Sequence, residues 1–236
     1  MMARVRVHAP ATLSNLGPGF DVLGLAVEQP GDYVEAEWSD TPGVEIVEVR
    51  GDSGRLTTDP TRNVVGIAAT AALLAFDARK TDRRPPGVRL WLDKRMPLAS
   101  GLGSSAASSV GGVLAVSELL GGVFDRNELI ACALEGERVV SGGVHADNVA
   151  PCIGGGIVLI RSYTPMELLS LPVPDALRVA VVHPHVSVVT AEARRLVAER
   201  RFSIAPVVAN LGQLGALVTA LHRGDLELFG RAISDD

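Results

Sequence analysis

Apolar and polar positions alternate from the start of the chain. Arg4–His8, Val22–Glu28, Tyr33–Trp38 and Val44–Arg50 each read with period two, and Gly and Pro punctuate the gaps, which predicts strands joined by turns. At Asn63 the period lengthens, and Asn63–Ala78 reads as an alanine-rich helix followed by the polar loop Lys80–Gly87 with its Pro85-Pro86 stop. Val88–Leu92 alternates again and Ala106–Leu120 is helical, so the small residues between them sit at a strand-to-helix turn. Asp125 opens a helix to Val140, with Glu128 placed as its capping-box partner. Gly155–Arg161 and Arg178–His183 read as strands. Thr190 opens a helix with Glu192 in its first turn, and Ala205–Leu221 and Leu226–Ile233 are two more. The order is α+β, not a strict βαβ alternation. A composition shift across Tyr163–Asp175, with prolines at 165, 172 and 174, marks a domain boundary, giving units 1–165 and 166–236. The chain stops at Ser234-Asp235-Asp236, just past a helix and without a closing strand, so a continuation is expected.

Composition sharpens this picture in three ways. Of 236 residues 47% are hydrophobic but only 4% aromatic, so the core must be built from Val, Leu, Ala and Ile. A net charge of −5 with no block of Lys or Arg gives no support to nucleic acid or an anionic membrane as partner. Met1–Val5 lacks an apolar signal region, and runs such as Gly154–Ile160 are far short of a bilayer span, which places the protein in the cytoplasm. Cys132 and Cys152 have no metal-ligand company and are expected to be reduced, buried thiols.

Pro97-Leu98-Ala99-Ser100-Gly101-Leu102-Gly103-Ser104-Ser105-Ala106-Ala107 carries the clearest chemistry. Two glycines let backbone close on a bulky anion, two hydroxyls follow, and the helix start supplies unpaired N–H groups and the positive end of the dipole. The segment reads as a phosphate loop, although small residues can also serve close packing, with Ser104 as an N-cap. It is not a Walker A loop. It fits the loose pattern G-x-G-x-x-A, but the acidic residue such a dinucleotide site needs is missing, because Glu118 lies within the helix.

Three further groups stand out. Asn15-Leu16-Gly17-Pro18-Gly19-Phe20-Asp21 is a sharp turn, either stabilised by its own Asn and Asp or presenting them to a ligand. Glu137 precedes the dense polar run Ser141-Gly142-Gly143-Val144-His145-Ala146-Asp147-Asn148, and a helix carboxylate near a hydroxyl-bearing phosphate loop suits Mg²⁺. Arg194 and Arg195 open a helix where positive charge opposes the dipole. That suggests an anionic partner, unless they pair with Glu192 and Glu199.

Together these segments resemble the GHMP small-molecule kinases, and within them the homoserine kinase family. Pro97–Ala107 is similar to the superfamily's P-x-x-x-G-L-G-S-S-A-A loop. Ala11-Thr12-Leu13-Ser14-Asn15-Leu16-Gly17-Pro18-Gly19-Phe20-Asp21-Val22-Leu23-Gly24 and His145-Ala146-Asp147-Asn148-Val149-Ala150-Pro151 resemble the family's two substrate segments. The resemblance implies a two-domain fold: a mixed-sheet N-terminal ATP-binding domain with helices, and a ferredoxin-like C-terminal domain that is incomplete in this chain. It implies ATP-dependent phosphorylation of the side-chain hydroxyl of L-homoserine to O-phospho-L-homoserine, in threonine biosynthesis. It implies Ser105 and Glu137 as holders of Mg²⁺–ATP, the backbone of Ser100–Ser104 around the phosphates, and Asn63 at the adenine side. Asn15, Asp21, His145, Asp147 and Arg194 become the homoserine set, with Thr190 and Asn148 close to the reacting hydroxyl. The family's further glycine-rich motif and second substrate arginine would lie beyond Asp236. Asp147 is expected mainly as an anchor, since an aspartate of ordinary pKa, about 4, is a weak base toward an alcohol. A mevalonate or sugar kinase, a dinucleotide oxidoreductase and a non-catalytic nucleotide-binding protein are the alternatives, and a homodimer is compatible with the resemblance.

Overall fold

Leu23–Ser39 (β2) is a single strand of 17 residues around which a six-stranded sheet is built. The structure is a computed structural model that describes residues 4–80, 84–141, 145–182, 195–197, 199 and 202–234. Arg4–Ser14 (β1) pairs antiparallel with nearly the whole of β2, with an irregularity between Pro10 and Thr12. Proline has no N–H to donate, so a ladder break is where it does least harm. The second half of β2 also pairs with Gly87–Asp93 (β4), which lies parallel to Gly43–Arg50 (β3). Its first half pairs with Ile157–Tyr163 (β5), and β5 with Met166–Leu171 (β6). The sequence splits β2 at Gln29-Pro30-Gly31, because those residues look like a turn. Gly31 and Asp32 nevertheless pair with Pro10 and Ala9, so the chain runs on as one bent strand.

Val64–Ala78 (α1) and Ser104–Leu119 (α2) pack on the sheet, and Arg126–Ser141 (α3) packs against both helices. Helix α2 is buried nearly all round, which its run of Ala, Ser and Gly permits, since neighbours can approach its backbone closely. The capping box is present: Glu128 N–H donates to Asp125 Oδ1 (2.9 Å), and Asp125 N–H donates to Glu128 Oε2 (2.8 Å). Val34, Val65, Val88, Leu90, Val110, Val113 and Ile130 are fully buried between helices and sheet. Each such side chain contributes about 1.5–3 kcal/mol relative to exposure. Both cysteines are buried and free; burial pushes the Cys132 thiol up to about 11 and raises that of Cys152 as well.

A short helix, Val149–Gly154 (α4), fills the apolar run after Asn148, and neither it nor β6 is anticipated by the sequence. The boundary expected after residue 165 falls in the turn of the β5–β6 hairpin, and β6 stays hydrogen-bonded to the sheet as far as Leu171. Residues 178–182 form no strand, which corrects the strand expected at Arg178–His183. Ile204–Arg223 (α5) and Leu226–Ala232 (α6) follow. By length and composition α5 could cross a bilayer, longer than any apolar run singled out in the sequence. Its Leu217, Ala220 and Leu221, however, are buried with Leu16, Leu23, Leu25, Ile157 and Leu171 in a second, smaller core. That core seats the C-terminal helices beside the turn at residues 15–21, where Asn210 Nδ2 donates to the Pro18 carbonyl (3.0 Å).

Candidate active site

The glycine loop leaves β4 through a buried ion pair. Lys94 Nζ donates to Asp32 Oδ2, to the Ser104 carbonyl (2.8 Å) and to Ser108 Oγ (3.0 Å). Asp32 Oδ1 accepts from the N–H groups of Arg95 (2.8 Å) and Met96 (3.2 Å). Both side chains are essentially inaccessible. Desolvation pulls the Lys94 ammonium below its ordinary pKa, against the pull of Asp32 in the other direction. One lysine thus ties β2, the loop entrance and the first turn of α2 together.

Beyond it, Ala99, Gly101 and Gly103 all take positive φ, and Ser100 Oγ donates to the Pro97 carbonyl (2.8 Å). The N-cap of α2 is Gly103, which supplies no side-chain cap, so Ser104 does not play the capping role that the packing alternative gave it. Ser104 Oγ is buried without a hydrogen-bond partner among the described residues. An uncapped helix start with an orphaned hydroxyl is built to receive an acceptor-rich ligand, and a phosphate fits.

Gly103 also touches both expected substrate segments. At φ +63° its missing Cβ would fall 2.0 Å from Thr12 Oγ1 and 2.9 Å from Asn148 Oδ1. Thr12 Oγ1 donates to Asn148 Oδ1 (2.7 Å), and Thr12 N–H donates to the Leu102 carbonyl (3.1 Å). Thr12 therefore fastens the phosphate loop to the His-Ala-Asp-Asn segment. It sits within the N-terminal signature, yet an alternating strand gives no sign of which residue will turn inward to a partner 136 positions away. Gly103→Ala should lower kcat/KM for both substrates by about tenfold or more, since an L-residue at that φ is strained and the Thr12–Asn148 bond must break. Wild-type steady-state kinetics in that variant would show that the loop can move aside.

Glu137, on α3, is buried under α2. Its Oε2 accepts from Ser105 Oγ (3.0 Å) and its Oε1 from Ser109 Oγ (3.2 Å), the hydroxyls one helical turn apart on α2. Desolvation raises the Glu137 pKa, the two serines lower it, and the negative charge of Asp147 raises it further. Asp147 is itself buried, and its carbonyl can lie against β2 only because position 24 is glycine, where a Cβ would come 1.8 Å from that oxygen. Two buried carboxylates within electrostatic reach of each other favour a cationic ligand.

The turn at residues 15–21 closes on itself and faces the same segment. Asn15 Oδ1 accepts from Asp21 N–H (2.9 Å), while Asp21 Oδ2 lies 3.4 Å from His145 Nδ1. The self-stabilised turn and the outward-facing carboxylate are thus both present. Asn63 is buried as the N-cap of α1, accepting from Val65 N–H (3.2 Å) and donating to the Thr57 carbonyl (2.7 Å). Thr190 and Arg194 lie outside the described residues, as do Gly142–Val144. Arg195 pairs with Glu199 (3.0 Å), the solvated-face alternative for that arginine. Among the described residues no group of three or more His, Cys, Asp or Glu is placed to hold a metal by itself.

Comparison with known proteins gives the family. The family described as GHMP kinases N terminal domain matches residues 64–156, from the start of α1 to the end of α4 and its glycines. A homoserine kinase of Chloroherpeton thalassium is 38% identical over 238 residues, covering 99% of this chain and 74% of the relative. A homoserine kinase of Methanopyrus kandleri is 43% identical over 231 residues, covering 98% of this chain and 72% of the relative. The crystal structure of homoserine kinase from Cytophaga hutchinsonii superimposes with a TM-score of 0.88 at 42% identity, over 100% of this chain and 73% of that one.

Proposed function

The chain belongs to the homoserine kinase family of the GHMP kinases, and from that premise we propose how its own residues divide the work. The reaction transfers the γ-phosphoryl group of ATP to the side-chain hydroxyl of L-homoserine, giving O-phospho-L-homoserine and ADP, a step of threonine biosynthesis. The observation that carries the assignment of roles is the contact of Gly103 with the Thr12–Asn148 pair, which brings the phosphate loop against the segment that ends in Asp147 and Asn148.

Pro97–Ala107 and the start of α2 hold the ATP phosphates, through backbone N–H groups and the Ser104 and Ser105 hydroxyls. Asn63 lies on the adenine side. Ser105 and Glu137 are the residues that would hold Mg²⁺: Glu137 is a buried carboxylate whose own cationic neighbour, Lys94, is committed to Asp32. A bound Mg²⁺ neutralises charge on the phosphoryl oxygens. One hydroxyl and one carboxylate are the sparse set of protein oxygens that would suit a nucleotide-bound Mg²⁺.

Phosphoryl transfer has a loose transition state, so the remaining residues act mainly by holding homoserine in line. Asp147 and Asp21 meet its ammonium, with His145 orienting Asp21 and Asn15 fixing the turn. Arg194 meets the carboxylate. Asn148 and Thr190 are assigned to the hydroxyl, whose proton passes to water as the new O–P bond forms and the bond from the γ-phosphorus to the ADP oxygen breaks. No strong base is needed, and Asp147 serves as an anchor.

Arg194→Ala tests this division. Each charge-assisted contact is worth about 1.5–3 kcal/mol, so KM for homoserine should rise roughly ten- to a hundredfold. KM for ATP should stay within about twofold, by the same reasoning. A homoserine analogue lacking the carboxylate should be indifferent to the substitution. Weakened ATP with unchanged homoserine would move this arginine to the phosphates.

A further inference from the structure

Tyr163 ends β5, outside every segment so far given a role, and its hydroxyl lies between the two halves of the homoserine site. It donates to the Asp21 carbonyl (2.7 Å) and accepts from Ala146 N–H (3.3 Å). A phenol can do both at once, and here each partner is a backbone group in a different substrate segment. Ala146 stands between His145 and Asp147. Asp21 holds a φ of +60°, which a non-glycine residue rarely adopts and which persists only where the surroundings impose it. Those surroundings are explicit: Asn15 Oδ1 takes the Asp21 N–H, and Tyr163 takes the Asp21 carbonyl. With both ends of its backbone fixed, the Asp21 side chain is directed at His145.

We propose that Tyr163 is a positioning residue for homoserine, its hydroxyl setting the spacing between the Asp21 turn and the His145–Asn148 segment across which the substrate ammonium is held. The inference rests on the assignment of Asp21, His145 and Asp147 to homoserine. The ring of Tyr163 packs at the edge of the main core, and phenylalanine keeps that packing while removing the hydroxyl that forms the bridge. The two bridged groups belong to the substrate segments and not to the phosphate loop, so the effect should fall mainly on one substrate.

Tyr163→Phe in the full chain should raise KM for homoserine about tenfold, the equivalent of one or two hydrogen bonds, with KM for ATP and Tm nearly unchanged. In an Asp21→Asn background the same substitution should have a clearly smaller effect, because the two changes disturb one contact set. An unchanged homoserine KM in Tyr163→Phe, in a protein where Asp21→Asn does raise it, overturns the positioning role and leaves the site intact. If Asp21→Asn itself leaves the homoserine KM unchanged, the underlying site assignment fails and the proposal with it. A fall in Tm accompanied by equal rises in both KM values would make Tyr163 merely structural and would also overturn it.

Discussion

Glu137→Ala should lower kcat by about 10²- to 10³-fold, the scale of removing one preorganised electrostatic stabiliser, and should leave the protein folded. The carboxylate accepts from Ser105 and Ser109 of the phosphate helix, and among the described residues no other acidic side chain accepts from those hydroxyls. Folding should not suffer. A carboxylate whose pKa is raised by burial is an ionised group the fold would rather not contain. The sign follows from linkage. Its contribution to stability is fully present below the unfolded value near 4.5 and is lost as pH rises through the raised folded value. Without nucleotide and Mg²⁺, the alanine variant should therefore gain in Tm over the wild type as pH moves from acidic to neutral. The kinetic loss should persist at saturating ATP and homoserine, and raising Mg²⁺ should recover little of it. Near-wild-type turnover at low Mg²⁺ would make Glu137 an ordinary helix carboxylate and transfer the metal to other oxygens.

The parts of this site that are legible in the sequence are those written in consecutive residues. Gly101, Gly103, Ser104 and Ser105 declare an anion loop because positive φ, close approach and helix-start donors are local properties. The Asp125–Glu128 capping box is legible for the same reason, and both of its bonds form. What the sequence conceals is non-local or depends on which face an element buries. Thr12 reads as one more strand residue until its partner arrives from Asn148. Asp32 follows Gln29-Pro30-Gly31 and looks like a turn aspartate, but the ladder to β1 continues through it and buries it. Lys94 sits between Asp93 and Arg95 in what looks like a solvated charge run, and is the one member turned inward. Met166–Leu171 lies between prolines and resembles a linker, yet the edge of β5 recruits it as a strand. Tyr163, at the same composition shift, is invisible as a site residue because its hydroxyl addresses backbone rather than side chains.

The inward turn of Lys94 leads to the largest expected effect on stability. Removing one partner of a buried ion pair leaves the other charge uncompensated, and Lys94→Met should cost about 3–5 kcal/mol. Asp32 would then keep the N–H groups of Arg95 and Met96 on one oxygen, while its second oxygen would lose the buried cation that it faces. The same substitution frees the Ser104 carbonyl and the Ser108 hydroxyl from their shared donor at the first turn of the phosphate helix. ATP affinity should therefore fall along with stability. The double variant Asp32→Leu/Lys94→Met separates the two effects. Well-packed apolar replacements of buried pairs are often neutral or better, so urea unfolding should return toward the wild-type midpoint. ATP binding should not return, because the carboxylate that held Arg95 and Met96, and the ammonium that held Ser104, are both gone. A cost below about 1 kcal/mol for Lys94→Met would mean that the pair is dispensable to the fold. Recovery of ATP affinity in the double variant would show that packing at this position, rather than the charge pair, shapes the loop.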